Sequence, residues 1–208
     1  VVTTAPRVDP DTLGGLLLTG GASRRLGWDK AAAVCEPTPG RPEPLSVLLG
    51  RRLRAVTGRA LEVGPGRSGL PPVVDDLPGA GPLAAIAAGW AALGRCSGRP
   101  VSGALVLACD LPRVSVELLR LLAGWPGEAS VVPVVAGRPQ YLLARWSSAA
   151  LGRAAELVAT GRRATKELSV VAPVTFLAEP GWGRVADAEA FADVDTPEDA
   201  RRLGVHPR

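Results

Sequence analysis

The amino-acid sequence predicts an α/β fold on a mostly parallel central sheet, and three observations carry that expectation. Short apolar runs alternate with longer helix-compatible segments along most of the 208 residues. One run, SGALVLACD at 102–110, stays apolar until it closes on Asp110, which marks it as a central strand. Two others, GLLLTG at 15–20 and PPVVDD at 71–76, end on glycines or acids, the residue types that turn a chain out of a sheet.

GLLLTG is the first strand, and the glycine-rich stretch after it is a turn. CEPTPGRPEP (35–44) is so rich in proline that it predicts an exposed loop without regular structure. LSVLLGRRLRAV (45–56) predicts a helix, ALEV (60–63) a strand stopped by GPGRSG, and PPVVDD a further short strand. PLAAIAAGWAAL (82–93) is a helix with proline in its first turn, where the missing N–H costs nothing, and its wide apolar face predicts burial. After SGALVLACD come a helix at VSVELLRLLAG (114–124), strands at ASVVPVV (129–135) and YLLARW (141–146), and a helix at SAALGRAAELVA (148–159). Past Thr160 the alternation is irregular. VTFLA (174–178) predicts a strand and TPEDARRLG (196–204) a last helix, with Thr196 as its N-cap and acids in its first turn. No internal repeat or long linker appears, so residues 1–208 are expected to form a single domain, with 1–12 a flexible tail.

A composition of 47% hydrophobic and 21% charged residues supplies a core and argues against disorder. The net charge of +4 comes without a basic run interleaved with aromatics, so nucleic acid is not the expected partner and small anions are. Cys35, Cys96 and Cys109 are odd in number and widely spaced, which suggests neither a disulfide framework nor a CxxC metal site and fits a reducing cytoplasm. No signal peptide and no uninterrupted span of membrane length is evident, so no membrane is expected.

Chemistry concentrates in LLLTGGASRRLGWDK, residues 16–30. In open parallel sheets ligands bind beyond the carboxyl ends of the strands, where Gly20 and Gly21 fall. Glycines there let backbone N–H groups approach phosphate oxygens, and Arg24, Arg25 and Lys30 supply positive charge. The stretch has neither P-loop nor GxGxxG spacing. Asp75, Asp76 and Asp110 stand at two further strand ends. Each alone is most often a turn former, but three such ends on one sheet edge point to a site. Asp193 and Asp195 share one side of an extended segment. Cys109 is expected to be a small core residue, His206 to lie in a frayed tail away from chemistry, and Arg162, Arg163 and Lys166 to be a solvated basic cluster.

Taken in order, LLTGGASRRLGWDK, VVDDLPGAGPLAAI, LACDLP and FADVDTPEDARRLG resemble the molybdenum cofactor guanylyltransferases of the nucleotidyltransferase superfamily, from about Gly14 to Gly204. The family's opening pattern has alanine where Thr19 stands and methionine where Leu26 stands. The resemblance implies a Rossmann-like three-layer sandwich of the nucleotide-diphospho-sugar transferase type. It implies that Leu18, Thr19, Gly20 and Gly21 form the turn contacting the base and sugar of GTP, with Ser23 in the same loop. Lys30 would hold the nucleotide phosphates, helped by Arg24 and Arg25. Asp76 or Asp75 would meet the guanosine, and Asp110 would ligate Mg2+. Gln140, Asp193 and Asp195 match positions that meet the pterin, although the family often has asparagine at the last two. A position near Gly64, asparagine in some members, has no side chain here.

The implied reaction joins GMP from GTP to the phosphate of molybdopterin and releases pyrophosphate. Passing contact with molybdoenzymes or their chaperones is implied as well. Two other readings stay open. A cytidylyltransferase acting on the same pterin would favour alanine-glycine in the first turn rather than Gly20-Gly21. A non-catalytic module that delivers nucleotide or cofactor would not need both Lys30 and Asp110.

Overall fold

The computed structural model describes residues 9–20, 26–38, 40–74, 79–96 and 100–208. In chain order the strands are β1 (Leu13–Leu18), β2 (Val34–Thr38), β3 (Arg41–Pro44), β4 (Arg59–Val63), β5 (Pro72–Val73), β6 (Gly103–Ala108), β7 (Ser130–Val135), β8 (Arg138–Pro139), β9 (Leu143–Ser147), β10 (Val174–Leu177) and β11 (Val205–His206). The α-helices are α1 (Leu45–Arg54), α2 (Pro82–Cys96), α3 (Val116–Ala123), α4 (Ser148–Leu151), α5 (Ala154–Ala159), α6 (Leu168–Val171), α7 (Glu179–Trp182) and α8 (Pro197–Leu203).

The main sheet runs β10-β7-β9-β6-β1-β4-β5, with β8 paired to β7. β1 lies between β4 and β6 and is parallel to both, in register from Leu18 to Val63 and Ala108. Along that path β9 opposes its neighbours, pairing antiparallel with β6 and β7, and β8 is likewise antiparallel to β7. Alternate side chains of β1 feed two cores. Leu13 and Leu17 pack with residues of α1, α3, α7 and α8, whereas Leu16 and Leu18 pack with α2, α4, α5 and α6. Gly14 and Gly15 let this happen closely. A side chain at Gly14 would collide with Leu93 of α2 on one face, and one at Gly15 with Leu53 of α1 on the other. Helices on both faces of a mostly parallel sheet are the three-layer arrangement expected from the sequence.

Three local expectations are corrected. CEPTPGRPEP is not an irregular loop, because its ends pair as the β2–β3 hairpin, Val34 opposite Pro44 and Cys35 opposite Glu43. The prolines fit there because Pro42 and Pro44 sit on an edge strand and Pro37 falls within a break in register, where no ladder N–H is required. SAALGRAAELVA breaks at Gly152 and Arg153 into α4 and α5. His206 is not frayed, since β11 pairs antiparallel with β2 and sets His206 against Val34. Thr196 caps α8 as expected, in a reciprocal capping box with Asp199.

Pro10–Thr12 form a 3-10 turn whose Thr12 carbonyl accepts from the N–H of Ser102. Among the described residues, no helix is long and apolar enough to cross a membrane.

Candidate active site

Because β1, β4 and β6 are parallel, their carboxyl ends share one edge, and the backbone stays stitched just beyond it. Thr19 N–H donates to Val63 C=O at 3.1 Å, and Cys109 N–H donates to Leu18 C=O at 3.1 Å. One residue further, Asp110 C=O accepts the N–H of Val194 at 3.0 Å. Val194 is fully buried, so it anchors an extended segment against the end of β6, with Asp193 and Asp195 on either side of it.

Lys30 meets this edge from the opposite direction. It opens a 3-10 turn capped by Asp29, whose carboxylate accepts the N–H of Ala31 at 2.9 Å. The Lys30 ammonium donates to Asp195 Oδ1 at 2.5 Å and to Asp110 Oδ2 at 3.2 Å. Partial burial pulls the Lys30 pKa down, but the bond to Asp195 and the charge of Asp110 outweigh it, and the net shift is upward. Lys30 is therefore a cation at neutral pH. Asp110 is shifted upward: burial penalises its charge, Lys30 offsets only part of that penalty, and Asp193 adds a like charge. A carboxylate so placed gains from any further cation brought to it.

The structure thus gathers Lys30, Asp110 and Asp195 from sequence positions far apart. Leu18 is buried at the end of β1, Thr19 is buried beside it, and Gly20 is exposed. Gly21, Ser23, Arg24, Arg25, Asp75 and Asp76 lie outside the described residues. Gln140 is not part of the cluster; its side chain donates to the carbonyl of Arg138 at 3.1 Å. Asp195 was assigned to the pterin by resemblance, yet it contacts the lysine assigned to the nucleotide phosphates. The Asp110 carboxylate, placed at a strand end where it could also serve a turn, accepts from Lys30. Cys109 is a core residue with its thiol pKa pushed up to about 12 by burial, which leaves no thiolate for chemistry at neutral pH. Of the basic cluster, Arg162 pairs with Glu167 at 3.5 Å, and the Arg163 carbonyl accepts the N–H of Leu83 in the first turn of α2.

Sequence reasoning missed Glu62, the penultimate residue of β4, which has no exposed surface. Its Oε1 accepts from the Thr19 hydroxyl at 2.5 Å and from the N–H groups of Gly66 and Arg67, both at 2.9 Å. Its Oε2 accepts the N–H of Ser68 at 2.7 Å and its hydroxyl at 2.6 Å. The signal was present as a lone acid inside an apolar strand, two residues before Gly64 opens the glycine-rich GPGRSG. Gly64 is at φ +151°, where a side chain would run into the Thr19 hydroxyl. The absence of a side chain at 64 and the presence of a hydroxyl at 19 are two sides of one packing solution.

Residues 15–172 match the family described as MobA-like NTP transferase domain. A Mycobacterium tuberculosis protein named probable molybdenum cofactor guanylyltransferase is 36% identical over 167 residues, 74% of this chain and 78% of its own length. A Rhodobacter capsulatus protein named molybdenum cofactor guanylyltransferase is 34% identical over 201 residues, 91% of this chain and 94% of its own. Among solved structures, molybdopterin-guanine dinucleotide biosynthesis protein A of Archaeoglobus fulgidus superposes with a TM-score of 0.71 at 21% identity, over 92% of this chain and 97% of that one. The likeness assigns the fold to the nucleotide-diphospho-sugar transferase type that the sequence resemblance implied.

Proposed function

Since the chain belongs to the MobA-like NTP transferase domain family and is a nucleotidyltransferase, we propose that it transfers GMP from GTP to the terminal phosphate of molybdopterin. The observation that carries this reading is the Lys30 ammonium held between Asp110 and Asp195 at the carboxyl edge of the sheet. A phosphate oxygen of the pterin forms a bond to the α-phosphorus of GTP, the bond from that phosphorus to the bridging oxygen breaks, and pyrophosphate departs. The nucleophile is already an anion, so no general base is needed. What the protein must provide is alignment and neutralisation of charge. Lys30 supplies a fixed cation for the triphosphate, and Thr19 with Gly20 provides the turn on which the nucleoside rests.

The donor chemistry suits magnesium. Among the described residues no group of three His, Cys, Asp or Glu side chains is arranged to hold a metal, but magnesium commonly uses one or two carboxylates together with water and substrate phosphates. Asp110 would hold it, and the ion when bound would neutralise charge on the reacting phosphates. The upward shift of the Asp110 pKa supports this role, because a carboxylate penalised by burial and by Asp193 is stabilised by an arriving cation.

The test is incubation with molybdopterin, Mg2+ and each of the four nucleoside triphosphates, with detection of the dinucleotide. GTP should outcompete CTP, by roughly a hundredfold in kcat/KM if an acid at Asp75 or Asp76 reads the guanine N1–H and N2 amino group together. Equal turnover of the two would remove guanine from the assignment. Lys30→Ala should lower kcat/KM for GTP at least about tenfold, because the charge on the departing pyrophosphate loses its partner. Lys30→Arg should restore little of it, since a planar fork does not replace a point charge. Unchanged kcat/KM in Lys30→Ala would reduce the Asp29-Lys30 turn to a structural feature.

A further inference from the structure

We infer that Glu62 is a positioning residue for the nucleotide, tying Thr19 and the Asp29-Lys30 turn to a single buried point. This rests on the reading of Thr19, Gly20 and Lys30 as residues that meet the nucleotide. At one end, Thr19 is fixed twice to β4, by its hydroxyl to Glu62 and by its N–H to the carbonyl of Val63. At the other end, Asp29 carries the turn of Lys30 and pairs through Oδ2 with Arg67 at 2.5 Å. Arg67 belongs to the 66–68 loop, whose three consecutive N–H groups all point at the Glu62 carboxylate. One carboxylate therefore sets the distance between the residue under the nucleoside and the residue on the phosphates.

The sheet itself does not call for an acid at this position. β4 is otherwise apolar on its buried positions, and a buried charge usually confers no more stability than a well-packed apolar side chain of similar size. Among the described residues no cation bonds to Glu62; it is held only by hydroxyl and N–H donors. Those bonds draw its pKa below the ordinary value although burial works in the opposite direction. An ionised acceptor with five converging donors has a unique arrangement, which fixes Thr19 and the 66–68 loop relative to one another.

The test compares GTP KM, molybdopterin KM, kcat and melting temperature for Glu62→Gln, Thr19→Val, Arg67→Ala and Arg67→Lys. Glu62→Gln turns an amide N–H2 toward N–H donors and should raise the GTP KM about tenfold or more, with the pterin KM changed less than about twofold. Thr19→Val and Arg67→Ala each cut one tie and should raise the GTP KM about fivefold, again without moving the pterin KM. Arg67 is well exposed, so Arg67→Ala should keep the wild-type melting temperature. Arg67→Lys should recover most of the GTP KM, because the pair with Asp29 uses a single nitrogen. Should Glu62→Gln fail to fold, Thr19→Val and Arg67→Ala decide the matter. Equal rises in both KM values, or an unchanged GTP KM in these two, would overturn the inference. If the wild type turns over another nucleotide instead, the same comparison is made with that nucleotide; the guanine assignment then falls and the positioning role is judged on its own. A wild type that turns over none of them overturns both.

Discussion

Asp110→Asn should fold normally and lose about 10²-fold or more of kcat, the scale of a single electrostatic deletion in an active site. The substitution keeps size and shape, and the main-chain bond from Val194 N–H to the residue 110 carbonyl does not involve the side chain. What disappears is the negative charge that faces Lys30 and that would hold the magnesium. Lys30 retains Asp195, so the lysine turn has a reason to stay in place. If Asp110 were only a turn former ahead of Pro112, the opposite pattern would appear, with stability lower by about 1 kcal/mol and activity kept. Melting temperature and magnesium dependence of turnover, measured on one Asp110→Asn preparation, separate the two. A destabilised but fully active variant with an unaltered magnesium requirement would take Asp110 out of the mechanism.

The largest expected loss of stability lies elsewhere. Arg145 on β9 is only 2% exposed, and its guanidinium donates to the carbonyls of Ala123, Trp125, Gly127 and Ala129 at 2.7 to 3.1 Å. Burial draws its pKa down to about 10, which still leaves it charged at neutral pH. It holds the connection from α3 to β7 against the sheet, using backbone oxygens in place of a carboxylate. Arg145→Met keeps much of the bulk but strands those oxygens and should cost about 3–5 kcal/mol. Chemical denaturation should show a lower midpoint with an unchanged slope. A loss below about 1 kcal/mol would mean that the connection finds other donors.

The fate of Arg145 also shows where sequence reading reaches its limit. YLLARW was legible as a strand, but an arginine is rarely buried without a partner, and only the carbonyls converging from the 123–129 connection explain its burial. The same holds for Glu62, whose five donors come from Thr19 and from a loop whose shape no local pattern discloses. Proline density misled at CEPTPGRPEP because an edge strand needs no ladder N–H from Pro42 or Pro44, and edge status is a property of the assembled sheet. By contrast, SGALVLACD and PLAAIAAGWAAL carry their structure locally, in unbroken apolar character and a first-turn proline. The pairing of Lys30 with Asp110 and Asp195 lies between these cases. Sequence pointed to all three residues, but only the fold shows that one ammonium joins two of the acids.

That ammonium also imposes an order of events on a growing chain. Lys30 and Asp110 are separated by 80 residues and Lys30 and Asp195 by 165. β1, β4 and β6 can pair once residue 108 has been synthesised, yet the third member of the cluster arrives only with the segment that also delivers Val194 and then β11. During synthesis, then, the half-built enzyme can own a sheet long before it owns a complete site. The closing of long chain loops makes such late contacts slow to form.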